Sequence, residues 1–321
     1  MSEIPVIDIS PLLRGGEEAT AAVAAQIGAA ARGIGFFAVT GHGLPPHQLD
    51  GIFAAARALF SLPQGAKEAI SIEKAGNNRG WVRLRGEALD PTRPADLKEA
   101  FNVGLELGPG HPEILAGAPF RGLNAWPAIP GWRDEVLAYF DAVWALGRIL
   151  HRPIAHDLGL EADWFEDKLD RPLATLRLLR YPPVPAGAAD GAIGAGVHTD
   201  YGNLTLLLTD DAGGLEVKSR DGRWIEAPIL PGTFIVNIGD CLMRWTNDVY
   251  VSTPHRVVHT APRERISIAF FLDANPDAMV AALPSCTGPG RPPRYPAISC
   301  ADYIRERLDA TYAHRRDEAK A

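Results

Sequence analysis

Two histidines and an aspartate are the residues in this chain best suited to hold a metal. His198-Thr199-Asp200 follows Gly194-Ala195-Gly196, a stretch expected to turn and run into a strand. Alternate side chains of an extended segment share a face, so His198 and Asp200 can point one way with Thr199 opposed. A third donor has to come from elsewhere, and His255, in the run 251–259, is the candidate. Two imidazoles and one carboxylate on one side of a six-coordinate metal leave adjacent positions open. That is the donor set of non-haem Fe(II) oxygen chemistry. Each residue also has an ordinary structural use: a hydrogen-bonded core histidine, a turn or cap aspartate, a satisfied strand histidine. The triplet alone is a weak signal.

A cation further along strengthens it. Residues 265–272 alternate, with Ile266, Ile268 and Phe270 on one face and Arg265, Ser267, Ala269 and Phe271 on the other. Both faces carry apolar bulk, so the strand should be covered on both sides and the Arg265 guanidinium largely buried. An unpaired buried charge is strongly unfavourable. An anion should meet it, either a protein acid or a ligand carboxylate gripped by both arms of the fork. The Ser267 hydroxyl, on the same side, offers a further hydrogen bond.

The elements that position these groups change style along the chain. Through about residue 170 the pattern is mainly helical after a first strand at 4–8. Glu17–Arg32 is Ala-rich with helical periodicity, and 35–39 is a short apolar run suited to a buried strand. Pro46–Phe60 places Leu49, Ile52, Phe53 and Phe60 near one helix face, and 132–160 is the longest helical stretch. From Pro172 the texture becomes β. Short runs at 174–181, 203–209, 214–218, 223–226, 233–238, 249–259 and 265–272 are separated by turn residues such as Asp221-Gly222 and Pro231-Gly232. About seven strands in roughly 100 residues suit a double-sheet sandwich or jelly roll. A doubly wound sheet needs intervening helices, for which there is no room. A helical tail is expected at 301–313. The expected division is an N-terminal helical and β region at 1–170, a jelly-roll core at 171–275, and a C-terminal segment with a helix at 276–321. The Gly- and Pro-rich loop at 104–122 is the expected boundary or lid.

Composition narrows the partners. The 321 residues are 46% hydrophobic, enough to bury the core of one large domain or two closely packed ones. The net charge of -7, with no basic block, disfavours nucleic acid and anionic membrane surfaces. No apolar run approaches the roughly 18 residues of a membrane helix. The opening MSEIPVIDIS lacks the basic and apolar regions of a secretory leader. Cys241, Cys286 and Cys300 form no C-x-x-C pair and fit reduced thiols of a cytoplasmic protein. The expected partner is a small-molecule substrate, and nothing in the sequence sets the oligomeric state.

Taken together, His198-Thr199-Asp200, His255 and Arg265-x-Ser267 resemble the isopenicillin N synthase-like superfamily of Fe(II)/2-oxoglutarate oxygenases. The likeness extends to Ile4-Pro5-Val6-Ile7-Asp8, Gly35-Phe36-Phe37, Gly41-His42-Gly43 and the tyrosine-proline segment Arg180-Tyr181-Pro182-Pro183, and covers about residues 4–310. The resemblance implies a mainly β fold with flanking helices, a distorted double-stranded β-helix or jelly roll. It implies Fe(II) on His198, Asp200 and His255, with 2-oxoglutarate chelating the iron through its 2-oxo acid end and O2 as oxidant. The distal carboxylate would meet Arg265 and Ser267, with a hydrogen bond from the Tyr181 hydroxyl. Leu179 stands where plant members often carry Asn, a departure from their full co-substrate set. Residues 198–202, 253–255 and 263–265 resemble the microbial subgroup that includes ethylene-forming enzymes. Arg177 falls where the bacterial ethylene-forming enzyme has an active-site arginine. It is a candidate second co-substrate contact or, equally, an ion-pair residue at the barrel rim.

The implied reaction couples decarboxylation of 2-oxoglutarate, giving succinate and CO2, to hydroxylation or a related oxidation of a substrate C–H bond. Three alternatives share the scaffold. One is an isopenicillin N synthase-type oxidase without 2-oxoglutarate, in which Arg265 and Ser267 hold the substrate's own carboxylate. The others are ethylene formation and a catalytically silent binding protein. His42 reads as a turn histidine and His259 as a core or rim residue. Asn78-Arg79-Gly80-Trp81 and Glu99-Ala100-Phe101 lie where the family often builds its substrate pocket. Trp245 and Phe271 belong either to the cavity wall or to the core.

Overall fold

The computed structural model describes residues 3–87, 95–184 and 193–311. Its principal strands, in chain order, are β1 (Val6–Asp8), β2 (Phe36–Thr40), β3 (Gly80–Val82), β4 (Glu99–Gly104), β5 (Thr175–Tyr181) and β6 (Ile193–His198). They continue with β7 (Leu204–Thr209), β8 (Leu215–Lys218), β9 (Trp224–Glu226), β10 (Phe234–Ile238), β11 (His255–Val258) and β12 (Arg265–Leu272). A large sheet runs in the order β1-β2-β10-β7-β12-β5-β4-β3, and a smaller one in the order β6-β11-β8-β9. Among the described residues only the β1–β2 strand pair is parallel; the other strand pairs are antiparallel. The architecture is the expected mainly β double-stranded β-helix with flanking helices.

Strand β12 shows why the two sheets close on each other. It lies between β5 and β7, so its backbone groups are paired on both edges. Ile266, Ile268, Phe270 and Leu272 face outward into the main core, under the helices Glu17–Arg32, Pro46–Phe60 and Trp132–Asp157. The helix Trp132–Asp157 turns Val136, Phe140, Val143 and Leu150 into that core, and the Phe140 ring meets Phe270 edge-on at 5.0 Å. The opposite parity faces inward. There Ala269 joins Phe36, Leu179, Tyr181, Ala195, Val217 and Val257 in a second apolar cluster between the sheets. The site lies along this inner face.

Two local expectations are corrected. The 194–196 stretch is not a turn: it is part of β6, in extended conformation. The glycine at 194 is required by proximity, because a Cβ there would lie 2.7 Å from the Tyr181 ring. The strand expected over 249–259 shrinks to His255–Val258. Asn247 and Asp248 take positive φ at the end of the short helix Asp240–Trp245, and Pro254 has no N–H to give a ladder. The C-terminal helix is Cys300–Thr311; the last residues expected to belong to it lie outside the described residues. Among the described residues, no helix is long and apolar enough to cross a membrane.

Candidate active site

β6 and β11 are neighbours in the smaller sheet, and their register sets His255 directly opposite His198. Asp200 sits just past the end of β6. The two Nε2 atoms each lie 3.7 Å from Asp200 Oδ1, and the three donor atoms fall within 4.8 Å of one another. The remaining atoms of these side chains are already engaged. His198 Nδ1 meets the Gly196 carbonyl at 2.7 Å, and His255 Nδ1 meets the Thr253 carbonyl at 3.1 Å. A carbonyl only accepts, so each Nδ1 carries a proton, which leaves Nε2 as the nitrogen that a neutral ring offers to a metal. The second carboxylate oxygen, Asp200 Oδ2, accepts from the Thr205 hydroxyl at 2.6 Å and the Asn237 amide at 2.8 Å. Thr205 on β7 pairs with Asn237 on β10, so one rung of the large sheet supplies both donors. Thr199 faces away, donating to Asp240.

Electrostatics fit the same picture. Burial, with His255 alongside, holds His198 well below the ordinary imidazole range, so it stays neutral. Burial pushes the Asp200 carboxyl up, but the two histidines and the hydrogen bonds from Thr205 and Asn237 outweigh it and hold the group ionised. A neutral His198 and an ionised Asp200 are in the states that bind a metal. The Phe36 ring packs edge-on to His255 with centroids 5.3 Å apart, fixing the imidazole plane.

Arg265 is fully buried, as its strand pattern requires. Its Nε donates to the Gly213 carbonyl at 2.7 Å, Nη1 donates to Ser267 Oγ at 3.1 Å, and the guanidinium carbon lies 4.7 Å from the Tyr181 ring centre. Among the described residues no carboxylate pairs with it, and Nη2 is buried without a partner. The protein-acid alternative is therefore not what the fold provides. Arg265, Ser267 and Tyr181 all line the cavity that contains the three metal-type donors, about 1180 Å³ in volume. That exceeds an ordinary single-ligand pocket.

The rest of the wall contains residues not singled out from sequence. Asp273 and the inward residues of β7 and β10 were missed, although Asp273 shares the odd-numbered parity of Arg265, Ser267, Ala269 and Phe271. Ile304 and Leu308 bring the C-terminal helix to the rim, which only the chain's three-dimensional path decides. Asn78, Arg79 and Phe271 do line the cavity, whereas Trp81 and Trp245 are core residues. Burial, with Arg121 nearby, brings Arg79 down to about 10. Arg79 donates to the Asn78 and Phe120 carbonyls, tying the 104–122 loop over the cavity. Glu99 is absorbed by Lys67, Trp81 and Arg180. Arg177 forms an ion pair with Glu87, and Lys98 pairs with Asp96 and Glu87. His42 bridges the Gly232 carbonyl and the Leu44 N–H, a turn role. His259 is buried beside Tyr181 and does not line the cavity, because bulges in β11 break the alternation from His255.

Comparison with known proteins gives this geometry a family. Residues 173–274 match the 2OG-Fe(II) oxygenase superfamily, and residues 4–129 match the N-terminal region described as non-haem dioxygenase in morphine synthesis. The 2-oxoglutarate-Fe(II) type oxidoreductase hxnY of Emericella nidulans is 35% identical over 314 residues, covering 96% of this chain and 90% of that protein. The chain belongs to the 2OG-Fe(II) oxygenase superfamily. The oxygenase is also 37% identical over 296 residues to the homoarginine-6-hydroxylase 2-ODD-233 of Oryza sativa subsp. japonica, covering 88% of this chain and 89% of that one. Its fold superposes on a full-length Neurospora crassa protein, solved in complex with alpha-KG, with a TM-score of 0.86 at 33% identity and 96% of both chains covered. A putative 2OG-Fe(II) oxygenase from Caulobacter crescentus gives the same TM-score and identity, covering 97% of this chain and all of that one. This oxygenase thus uses Fe(II) and 2-oxoglutarate to oxidise a small molecule.

Proposed function

We propose that His198, Asp200 and His255 are the iron ligands, and that Arg265 and Ser267, with Tyr181 beneath the guanidinium, receive the distal carboxylate of 2-oxoglutarate. The carrying observation is the pair of unspent groups in one cavity: three donor atoms pointing at a common point, and the buried Arg265 Nη2 with no partner. When bound, the iron and the keto acid supply the oxidising power, with succinate and CO2 as by-products. The chain's own part is positional. Thr205 and Asn237 orient the Asp200 carboxylate, and the Gly196 and Thr253 carbonyls fix the imidazole tautomers. The apolar lining from Phe36, Leu179, Leu207, Leu215, Val257 and Ala269 limits water near the reacting centre.

Arg177 stands on the same face of β5 as Tyr181, but its ion pair with Glu87 supports a role in fixing the wall over contact with the co-substrate. A relative named for homoarginine and a Neurospora crassa structure containing thymine support a small metabolite as the molecule oxidised. We place the protein in the cytoplasm, where its three free, buried cysteines stay reduced. The test is substitution of His198 or Asp200 by Ala. Each variant should lose iron and 2-oxoglutarate-dependent succinate release while keeping its circular dichroism spectrum. Wild-type turnover in either variant removes that residue from the iron site.

A further inference from the structure

Several charged groups of the cavity wall are already engaged, and Glu73 is exposed at its edge. Lys98 and Arg177 are balanced by Asp96 and Glu87, and Arg121 is balanced by Glu113. Arg79 is tied to two backbone carbonyls, and Arg265 faces the co-substrate end. Asp273 is the desolvated acid of the wall that is left over. Its carboxyl makes no hydrogen bond or ion pair among the described residues, its Oδ1 is shut off from solvent, and burial, with Asp200 nearby, pushes it up to about 7. Oδ1 packs against Gly202, where a Cβ would collide with it, so Oδ2 is the oxygen left facing the cavity. An oxygen that faces a ligand cavity and has no partner within the fold is available to accept from a bound molecule, while the unpaired Oδ1 behind it costs stability.

Position says which ligand. β12 carries Arg265 at its first residue, and Asp273 follows its last, so the guanidinium and the carboxyl stand at opposite ends of the strand on the inward parity. Asp273 abuts Gly202, two residues after Asp200, and Phe271, two residues before Asp273, is paired with Thr205, the donor that holds Asp200. A diacid stretched from the metal to Arg265 therefore runs away from Asp273. The carboxylate is left for the other molecule in the cavity.

We propose that Asp273 is the substrate-orienting residue, and that the substrate presents an N–H donor to it. This rests on the site assignment given under the proposed function. The donor is either the neutral N–H of a lactam or imide or the cation of an amine or guanidine. Both share the chemistry of hydrogen bonding to a carboxylate, and a charged donor bonds more strongly.

The test compares wild type with Asp273→Asn and Asp273→Leu, each loaded with Fe(II) and 2-oxoglutarate. Substrate-dependent succinate release is measured over a small-molecule set, half with N–H donors and half without. Thymine stands for neutral donors, homoarginine for cationic ones, and phenylacetate for N–H-free acids. Wild-type activity should concentrate in the donor class, and Asp273→Leu should raise KM for the best compound at least about tenfold. Asp273→Asn should cost a cationic substrate more than a neutral one. Thermal unfolding without substrate gives a second, independent reading. Asp273→Leu should melt about 2 °C or more above wild type, because an unsatisfied buried acceptor is removed, whereas Asp273→Asn leaves one in place. Selection of N–H-free compounds, an unchanged KM in Asp273→Leu, or melting of Asp273→Leu below wild type would each overturn the proposal. Failure of the site assignment looks different: succinate release would then survive loss of His198 or Asp200.

Discussion

Replacing Arg265 by alanine removes the one buried cation that faces the co-substrate end of the cavity without an acid partner among the described residues. Its Nε and Nη1 bonds, to Gly213 and Ser267, are local, and each is worth about 1 kcal/mol. Stacking over Tyr181 adds about 1 kcal/mol. Relief of an unpaired buried charge works in the opposite direction, so the ligand-free variant should remain folded. With 2-oxoglutarate the balance is one-sided. Truncating one partner of a buried, hydrogen-bonded charge pair costs about 2–5 kcal/mol. At about 1.4 kcal/mol per decade, KM for 2-oxoglutarate should rise by roughly 30-fold to a few thousand-fold. Arg265→Lys keeps the charge and loses the two-pronged grip, so it should fall between wild type and alanine. The assay is succinate release against 2-oxoglutarate concentration at saturating iron. A KM within about threefold of wild type for Arg265→Ala would mean that the keto diacid is anchored elsewhere.

Asn237→Ala or Thr205→Val should weaken metal affinity by about 10- to 100-fold without touching a ligand, since each removes a donor that orients Asp200. An iron titration of activity that matches wild type would show that the carboxylate needs no such support. His151 supplies a pH effect remote from the site. Burial takes its imidazole from 6.5 down to about 4, with Nδ1 on the Gly147 carbonyl. The unfolded chain therefore takes up this proton below about pH 6.5, while the folded chain refuses it until about pH 4. This contribution to stability is complete above that window and is lost as pH falls through it, by up to about 3 kcal/mol. His151→Leu should flatten the dependence of melting temperature on pH between 7 and 4; an unaltered slope would assign acid sensitivity to other groups.

How far the site was readable from sequence differs from residue to residue. Arg265 was legible because its strand carries apolar bulk on both parities, which buries a guanidinium wherever the strand is placed. The double-stranded β-helix was legible from closely spaced β runs without room for crossover helices. Tyr181 and the iron-type triad came from motif order, and their joint use rests on resemblance. The 194–196 glycines misled, since a glycine signals close approach as readily as a turn, and only the Tyr181 ring lying against Gly194 distinguishes the two.

Local sequence thus determined which faces each strand would bury and which side chains would be costly to leave alone, because those depend on parity and composition within a few residues. Convergence did not follow from local rules. His198 meets His255 because β6 pairs with β11 across a long interval of chain. Asp200 is held by a rung of the opposite sheet, and Asp273 gains its position only when the turn at Gly202 packs against the end of β12. Such contacts are set by strand register and sheet closure, which are properties of the whole folded chain. The pattern of any one segment is compatible with many partners.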